Sequence, residues 1–272
     1  QIASGIDGLV VLGTTGEDPT LSEEEKVICM RAVVEETNGQ VPVIAGTGSY
    51  CTQKTIQNTH RAQDLGIDAA LVILPYYNKP SQKGIFEHFK VLNDSTSLPI
   101  IIYNNPSRTG VHIELDTLIR LTSLDNIIGI KEAHSDLSVT AEEIHCVKLH
   151  RPSFSFLSGN DIATFSTLAM GGDGIISVVS NLIPKRMLAL KEALLEGNLT
   201  EARNIHNNLC PLIQTLSLES NPTPIKYAMN TRGFAAGLPR LPLLPPTKDT
   251  ARILDYLLES MDLVKVDTHA KV

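Results

Sequence analysis

The chain has 272 residues, 42% of them hydrophobic, and a formal net charge of −7. That is enough apolar material for one large core, and α/β barrels use such a length as a single unit. The acidic balance argues against nucleic acid or an anionic membrane surface as partner, so any site for an anionic ligand must be locally basic.

Cys29, Cys51, Cys146 and Cys210 show no CxxC spacing, which indicates neither a zinc site nor a thioredoxin-like motif. Scattered cysteines fit a reducing compartment. No apolar run approaches the roughly 20 residues of a membrane span, and no signal peptide is visible. The expected setting is cytoplasmic.

The chain opens on QIASG, which reads as a helix end capped by Gly5. The first β-branched run is GLVVL (8–12). Leu21, Val27, Met30 and Val34 then recur at helical spacing, and Ser22 with Glu25 forms a capping box at the start of that helix. The second run is VPVIAG (41–46), followed by a helix after Thr52 that ends at Gly66. AALVIL (69–74), PIIIY (99–103), IIGIK (127–131), FSFLS (154–158) and GIISV (174–178) continue the series. These runs are apolar throughout, as in strands buried on both faces of a parallel sheet. Their spacing is about one βα unit each.

Pro184 suits the first turn of a helix running to Gly197. Beyond it the strand signals stop. Ile205, Leu209, Leu212, Ile213 and Leu216 form a helical stripe, GLPRLPLLPP (237–246) reads as a linker or extended wrap, and 249–261 as a final amphipathic helix. The fold expected is a (β/α)8 TIM barrel over 1–195 with a C-terminal helical region over 196–272. Seven strands are visible, so an eighth would precede residue 1; a doubly wound open sheet is the alternative.

In a βα barrel the reacting groups sit where strands end. Lys131 ends an otherwise apolar strand. Burial would favour its neutral amine, the nucleophile that forms a Schiff base with a ketone. The plainer reading is a lysine paired with Glu132 or reaching solvent. Tyr103 also ends a strand; a phenol can shuttle protons, but most such tyrosines are core residues with a bonded hydroxyl. Thr14 and Thr15 lie between Gly13 and Gly16, where hydroxyls and N–H groups can hold a carboxylate, or merely shape a turn. Arg108 offers a guanidinium for a carboxylate, against the default of a solvated surface arginine. Asp161 reads as a helix-start charge. The eight histidines show no metal-ligand spacing and read as non-catalytic.

GTTGE (13–17), PVIAGTG (42–48), PYYNKPSQ (75–82), YNNPSRTG (103–110), IIGIKEA (127–133) and SGND (158–161) together resemble the 4-hydroxy-tetrahydrodipicolinate synthase family, in the N-acetylneuraminate lyase superfamily of class I aldolases. The resemblance runs from residue 1 to about 245, in order and in register. It implies a TIM barrel whose first strand and most of whose first helix are absent from this chain. It implies that pyruvate and L-aspartate 4-semialdehyde condense through a Schiff base, in the diaminopimelate pathway to lysine, with no metal or organic cofactor.

By the same resemblance, Lys131 is the Schiff-base lysine, and Tyr103 with Thr14 moves protons. Tyr77 completes that relay from a neighbouring subunit. Thr15 holds the pyruvate carboxylate, Arg108 binds the semialdehyde carboxylate, and Gly159 and Ile176 line the pyruvate pocket. A homotetramer, as a dimer of dimers, follows. Asn105 stands where the family usually has valine, His134 and Ser135 replace Thr/Ser-Gly, and Asn160 replaces aspartate. Tyr50 and Lys54 stand where lysine-inhibited members carry asparagine and glutamate. With Lys26 nearby, weak feedback inhibition by lysine is expected. The rival readings are an N-acetylneuraminate lyase or keto-deoxy sugar acid aldolase and, from another class, a non-catalytic keto-acid-binding barrel.

Overall fold

A computed structural model of the chain describes residues 1–263. The end of the expected C-terminal helical region, from 264 on, lies outside the described residues. The order is β1 (Leu9–Val11), α1 (Glu23–Thr37), β2 (Val43–Gly46), α2 (Thr52–Asp64), β3 (Ala69–Ile73), α3 (Gln82–Ser95), β4 (Ile100–Asn104), α4 (Pro106–Thr109), α5 (Leu115–Thr122), β5 (Ile127–Glu132), α6 (Leu137–His150), β6 (Ser155–Ser158), α7 (Thr164–Ala169), β7 (Gly174–Ile175), α8 (Pro184–Leu195), α9 (Leu199–Thr215), α10 (Thr223–Thr231) and α11 (Lys248–Ser260). The seven strands form one parallel sheet in chain order, each hydrogen-bonded to the next.

Strand parity divides the apolar side chains. Ala70, Val72, Ile100 and Ile102 join the large core with the residues of the surrounding helices. Leu71, Ile101 and Tyr103 pack with Val10, Ile44, Ile73 and Ile176 in a separate cluster on the other face of the sheet. The helices begin and end where side chains satisfy their free backbone groups. Ser22 and Glu25 close both halves of the capping box on α1. Gly66 takes a positive φ just after α2, and Pro184 occupies the first turn of α8.

One irregularity decides the site. Ile100 of β4 pairs with Ile127 of β5, but Ile101 pairs with Gly129, so β5 carries one extra residue. A single inserted residue reverses which face the following side chains occupy. Beyond it Tyr103 pairs with Lys131, and the two share a face at the carboxyl ends of adjacent strands.

The last expected strand is shorter than 174–178. It covers Gly174–Ile175 because Ser177 and Val178 turn away to donate to the Asp161 carboxylate, and Val178 already has helical torsion angles. After α8, the helices α9, α10 and α11 build their own apolar cluster from Leu209, Leu212, Ile213, Ile225, Leu254 and Leu258. The stretch 237–246 forms no regular element. It is fastened to the start of α1 by Arg240, which donates to Glu25 and to the Thr20 carbonyl just before that helix. Among the described residues no helix is long and apolar enough to cross a membrane.

Candidate active site

The carboxyl ends of the strands open onto a cleft of about 610 Å³, roofed by residues of α9 and α10. Thr14, Thr15, Tyr103, Arg108, Lys131, Gly159 and Ile176 all line it. Tyr77 does not; it is 89% exposed and lies outside the cleft of its own chain.

The turn after β1 is forced into shape. Leu12 sits at φ 58° and Glu17 at φ 57°, both in the left-handed region that L side chains disfavour. Gly16 N–H donates to Gly13 O at 3.0 Å and Glu17 N–H to Thr14 O at 3.1 Å, closing the turn on itself. It presses so closely on β2 that a Cβ at Gly46 would lie 1.9 Å from the Leu12 carbonyl oxygen. Thr14 thereby lines the same cleft as Tyr103. Thr15 Oγ1 accepts a hydrogen bond of 2.9 Å from Asn221 Nδ2.

Lys131 is 8% exposed, and its Nζ lies 4.3 Å from the centroid of the Tyr103 ring. It forms no ion pair among the described residues. Burial drives its pKa down, and Arg108 adds to this, against the opposing pull of Tyr103 and Asp161. The alternative of a Lys131–Glu132 pair does not occur. Glu132 faces the other way, accepting from Asn104 Nδ2 at 2.8 Å and from the His134 N–H at 2.6 Å. Gly159 leaves room for the lysine stem: a Cβ there would meet Lys131 Cε at 3.1 Å and Ala133 Cβ at 2.9 Å.

Tyr103 is buried, which by itself raises a phenol pKa. The Lys131 charge, the hydrogen bond from Asn105, the nearby Thr14 hydroxyl and Arg108 outweigh that and bring it below the ordinary value. Arg108, on the single turn α4, is exposed at the mouth, with Nη2 3.5 Å from the Asn221 carbonyl. Asp161 opens a short 3-10 turn, as its reading as a helix-start charge requires, but its carboxylate serves another segment. It accepts from the Ser177 hydroxyl and from the N–H groups of Val178 at 2.9 Å and Val179 at 3.3 Å. Burial still pushes its carboxyl up.

Residues 1–261 match the model of the Dihydrodipicolinate synthetase family. This chain belongs to that family. A 4-hydroxy-tetrahydrodipicolinate synthase of Protochlamydia amoebophila is 45% identical over 261 residues, covering 96% of this chain and 87% of the relative. The crystal structure of dihydrodipicolinate synthase from Thermotoga maritima superposes with a TM-score of 0.95 at 41% identity, covering 97% of this chain and 90% of the other. A solved monomeric dihydrodipicolinate synthase variant gives the same TM-score and identity, over 97% of this chain and 88% of that one.

Three positions expected from the sequence to depart from the family's usual residues sit in different places. Asn160 lines the cleft and accepts from Ile162 N–H at 3.3 Å. His134 stacks on His112 with ring centroids 5.0 Å apart. Asn105 touches Tyr103 itself, donating from Nδ2 to the phenol oxygen at 2.8 Å.

Sequence reasoning missed two cleft residues, Asn221 and Lys226. Asn221 holds Thr15 while its own Oδ1 is buried without a partner among the described residues. Lys226 pairs with Glu17 and donates to the Leu238 carbonyl at 2.9 Å. The GTTGE motif contains Glu17, so an ion-pair partner was legible there. Nothing in the helical stripes identified Asn221 or Lys226 as that partner's neighbourhood.

Proposed function

We propose that this chain condenses pyruvate with L-aspartate 4-semialdehyde to 4-hydroxy-tetrahydrodipicolinate, as a Schiff-base-forming lyase of lysine and diaminopimelate biosynthesis. One observation carries the reading: a buried amine that forms no ion pair among the described residues, at the end of a barrel strand, beside the Tyr103 phenol.

Neutral Lys131 Nζ adds to the pyruvate carbonyl carbon and water leaves, giving a protonated imine. The imine draws electrons from the adjacent methyl group, which loses a proton and becomes an enamine carbon. That carbon attacks the aldehyde carbon of the second substrate. The substrate's amino group then adds to the imine carbon, closes the ring and displaces Lys131. The imine is itself the electron sink, so the scheme calls for no metal or organic cofactor. Tyr103 and Thr14 move the protons. Thr15 and the turn's N–H groups hold the pyruvate carboxylate, and Gly159 and Ile176 bound the pyruvate pocket. Arg108 at the mouth meets the semialdehyde carboxylate.

Tyr77, exposed and held at φ 69°, is suited to reach the relay of a neighbouring protomer, in a homotetramer built as a dimer of dimers. Residues 1–195 are read as the barrel and 196–272 as a helical region beside it. β1 and β7 each pair on one side only, and a strand between them would complete the ring. The cytoplasm is the expected compartment, and feedback inhibition by lysine is expected to be weak.

The test is borohydride reduction in the presence of pyruvate, followed by peptide mapping. The adduct is expected on Lys131 and is expected to vanish in Lys131→Ala. An adduct elsewhere, or one that survives the substitution, ends the proposal. Turnover of pyruvate with N-acetylmannosamine but not with aspartate semialdehyde would favour the sugar-acid aldolases instead.

A further inference from the structure

We infer that Asn105 is a positioning residue of the proton relay: clamped by Ser107, its amide N–H occupies one lone pair of the Tyr103 oxygen and leaves the phenol proton to point into the cleft. The inference rests on the function proposed above and adds a residue to it.

The geometry defines the direction of each bond. Ser107 Oγ donates to Asn105 Oδ1 at 2.8 Å, which turns Nδ2 toward the phenol oxygen, also at 2.8 Å. The Asn105 backbone is pinned as well. Its carbonyl accepts from Arg108 N–H and Thr109 N–H, each at 3.0 Å, and from Thr109 Oγ1 at 3.0 Å. Asn105 and Tyr103 are both buried, so water does not compete for these bonds. The Asn105 side chain caps no helix, so the α4 turn does not depend on it.

An amide N–H can only donate. A phenol oxygen that accepts from it must send its own proton elsewhere, and it is stabilised when that proton leaves. The charged or hydrogen-bonding groups around the phenol come from every packed element: Thr14 after β1, Lys131 on β5, Arg108 on α4, and Asp161 beyond Lys131 after β6. Lys131, Arg108, Thr14 and Asn105 all favour the deprotonated oxygen. A valine, usual in the family at this position, supplies no donor. In this chain the phenol therefore has a donor from its own protomer.

The opposite amide orientation makes the opposite statement. The phenol would then donate to Oδ1, its proton would be held away from the cleft, and its ionisation would be harder.

The test compares wild type, Asn105→Val, Tyr103→Phe and the double variant in the pyruvate–semialdehyde reaction, from neutral to alkaline pH. The Tyr103 ionisation is the one that Tyr103→Phe abolishes. In Asn105→Val it is expected to move up by about one pH unit, with kcat lower by roughly tenfold. In the Tyr103→Phe background the same change is expected to cost nothing further, because the two act as one unit. Ser107→Ala leaves Asn105 in place but frees its amide; a smaller upward move is expected, and it serves if Asn105→Val fails to fold. An unmoved or lowered ionisation, or losses that simply add, overturns the inference. Borohydride trapping of pyruvate separates the two levels. Wild-type trapping without the shift refutes only the role of Asn105, whereas absent wild-type trapping refutes the proposed function itself.

Discussion

The two ends of the sheet treat polar groups in opposite ways. At the amino ends they are paired. The Arg151 guanidinium donates to the carbonyls of Thr122, Leu124, Ile127 and Asp125, at 3.2, 3.1, 2.7 and 3.4 Å. Lys148 binds the Phe154 carbonyl at 2.9 Å and the Asp173 carboxylate, which in turn accepts from Phe156 N–H at 2.7 Å. Asp68 closes the start of β2 through Val43 N–H at 2.8 Å. At the carboxyl ends polarity is left open: Lys131 has no counter-ion among the described residues, Asn221 Oδ1 has no partner, and Leu12 and Glu17 hold unfavourable φ angles. Strain and unmet hydrogen bonds persist at the end where the substrates are proposed to bind, as general principles expect of a binding end.

The largest effect that would break this contrast is catalytic. Tyr103→Phe removes one oxygen at the open end, and kcat is expected to fall roughly 10²–10⁴-fold while the melting temperature barely moves. An unchanged kcat would take Tyr103 out of the relay. Its mirror image is Arg151→Met at the closed end. Four carbonyls lose their shared donor there, and a loss of about 2–4 kcal/mol in denaturant unfolding is expected, with kcat retained in the folded enzyme. If Arg151→Met lowers kcat as Tyr103→Phe does, the division of labour between the ends is wrong.

Arg108→Ala sharpens the contrast within the open end. The guanidinium lies at the mouth, whereas Thr15 lies in the closing turn after β1. The semialdehyde KM is expected to rise about tenfold and the pyruvate KM much less. Equal rises would mean that Arg108 acts on the whole cleft and not on one carboxylate.

Much of this was readable from residue order, for a physical reason. A strand covered on both faces must be apolar throughout, so AALVIL and PIIIY located β3 and β4, and their last residues located the rim. The Ser22–Glu25 box is a local interaction and was equally visible. The bulge on β5 was not, because IIGIK reads the same with or without an extra residue in its pairing. The early end of β7 depends on Asp161, a contact between segments 16 or 17 residues apart that leaves no period. Lys131, Tyr103 and Thr14 stand at strand ends and could be nominated there. Asn221 and Lys226 reach the first turn across 206 and 209 residues, a separation no local pattern encodes. Tyr77 is exposed in this chain, and its proposed role calls for a second protomer that one sequence does not place.

The smallest effect concerns an open polarity behind Lys131. Glu132 and the α6 residue Glu143 are both buried, and neither oxygen of Glu143 meets a donor among the described residues. Burial, then the facing Glu132 carboxyl, pushes Glu143 well above the ordinary carboxylate range; burial raises Glu132 too, against the donors of Asn104 and His134. A protonated Glu143 carboxyl can donate to Glu132 and so supply the missing donor. In the unfolded chain the Glu143 carboxyl ionises near 4.5, so above that pH the folded state holds the extra proton. This contribution to stability is complete below 4.5 and is lost as pH rises through the raised folded-state value. Glu143→Gln keeps a donor facing Glu132 and removes the titration. The fall of unfolding free energy with rising pH is expected to flatten by up to ~1 kcal/mol per pH unit, read from denaturant midpoints in a pH series. An unchanged slope would mean that Glu143 makes no such donation and finds its partner elsewhere.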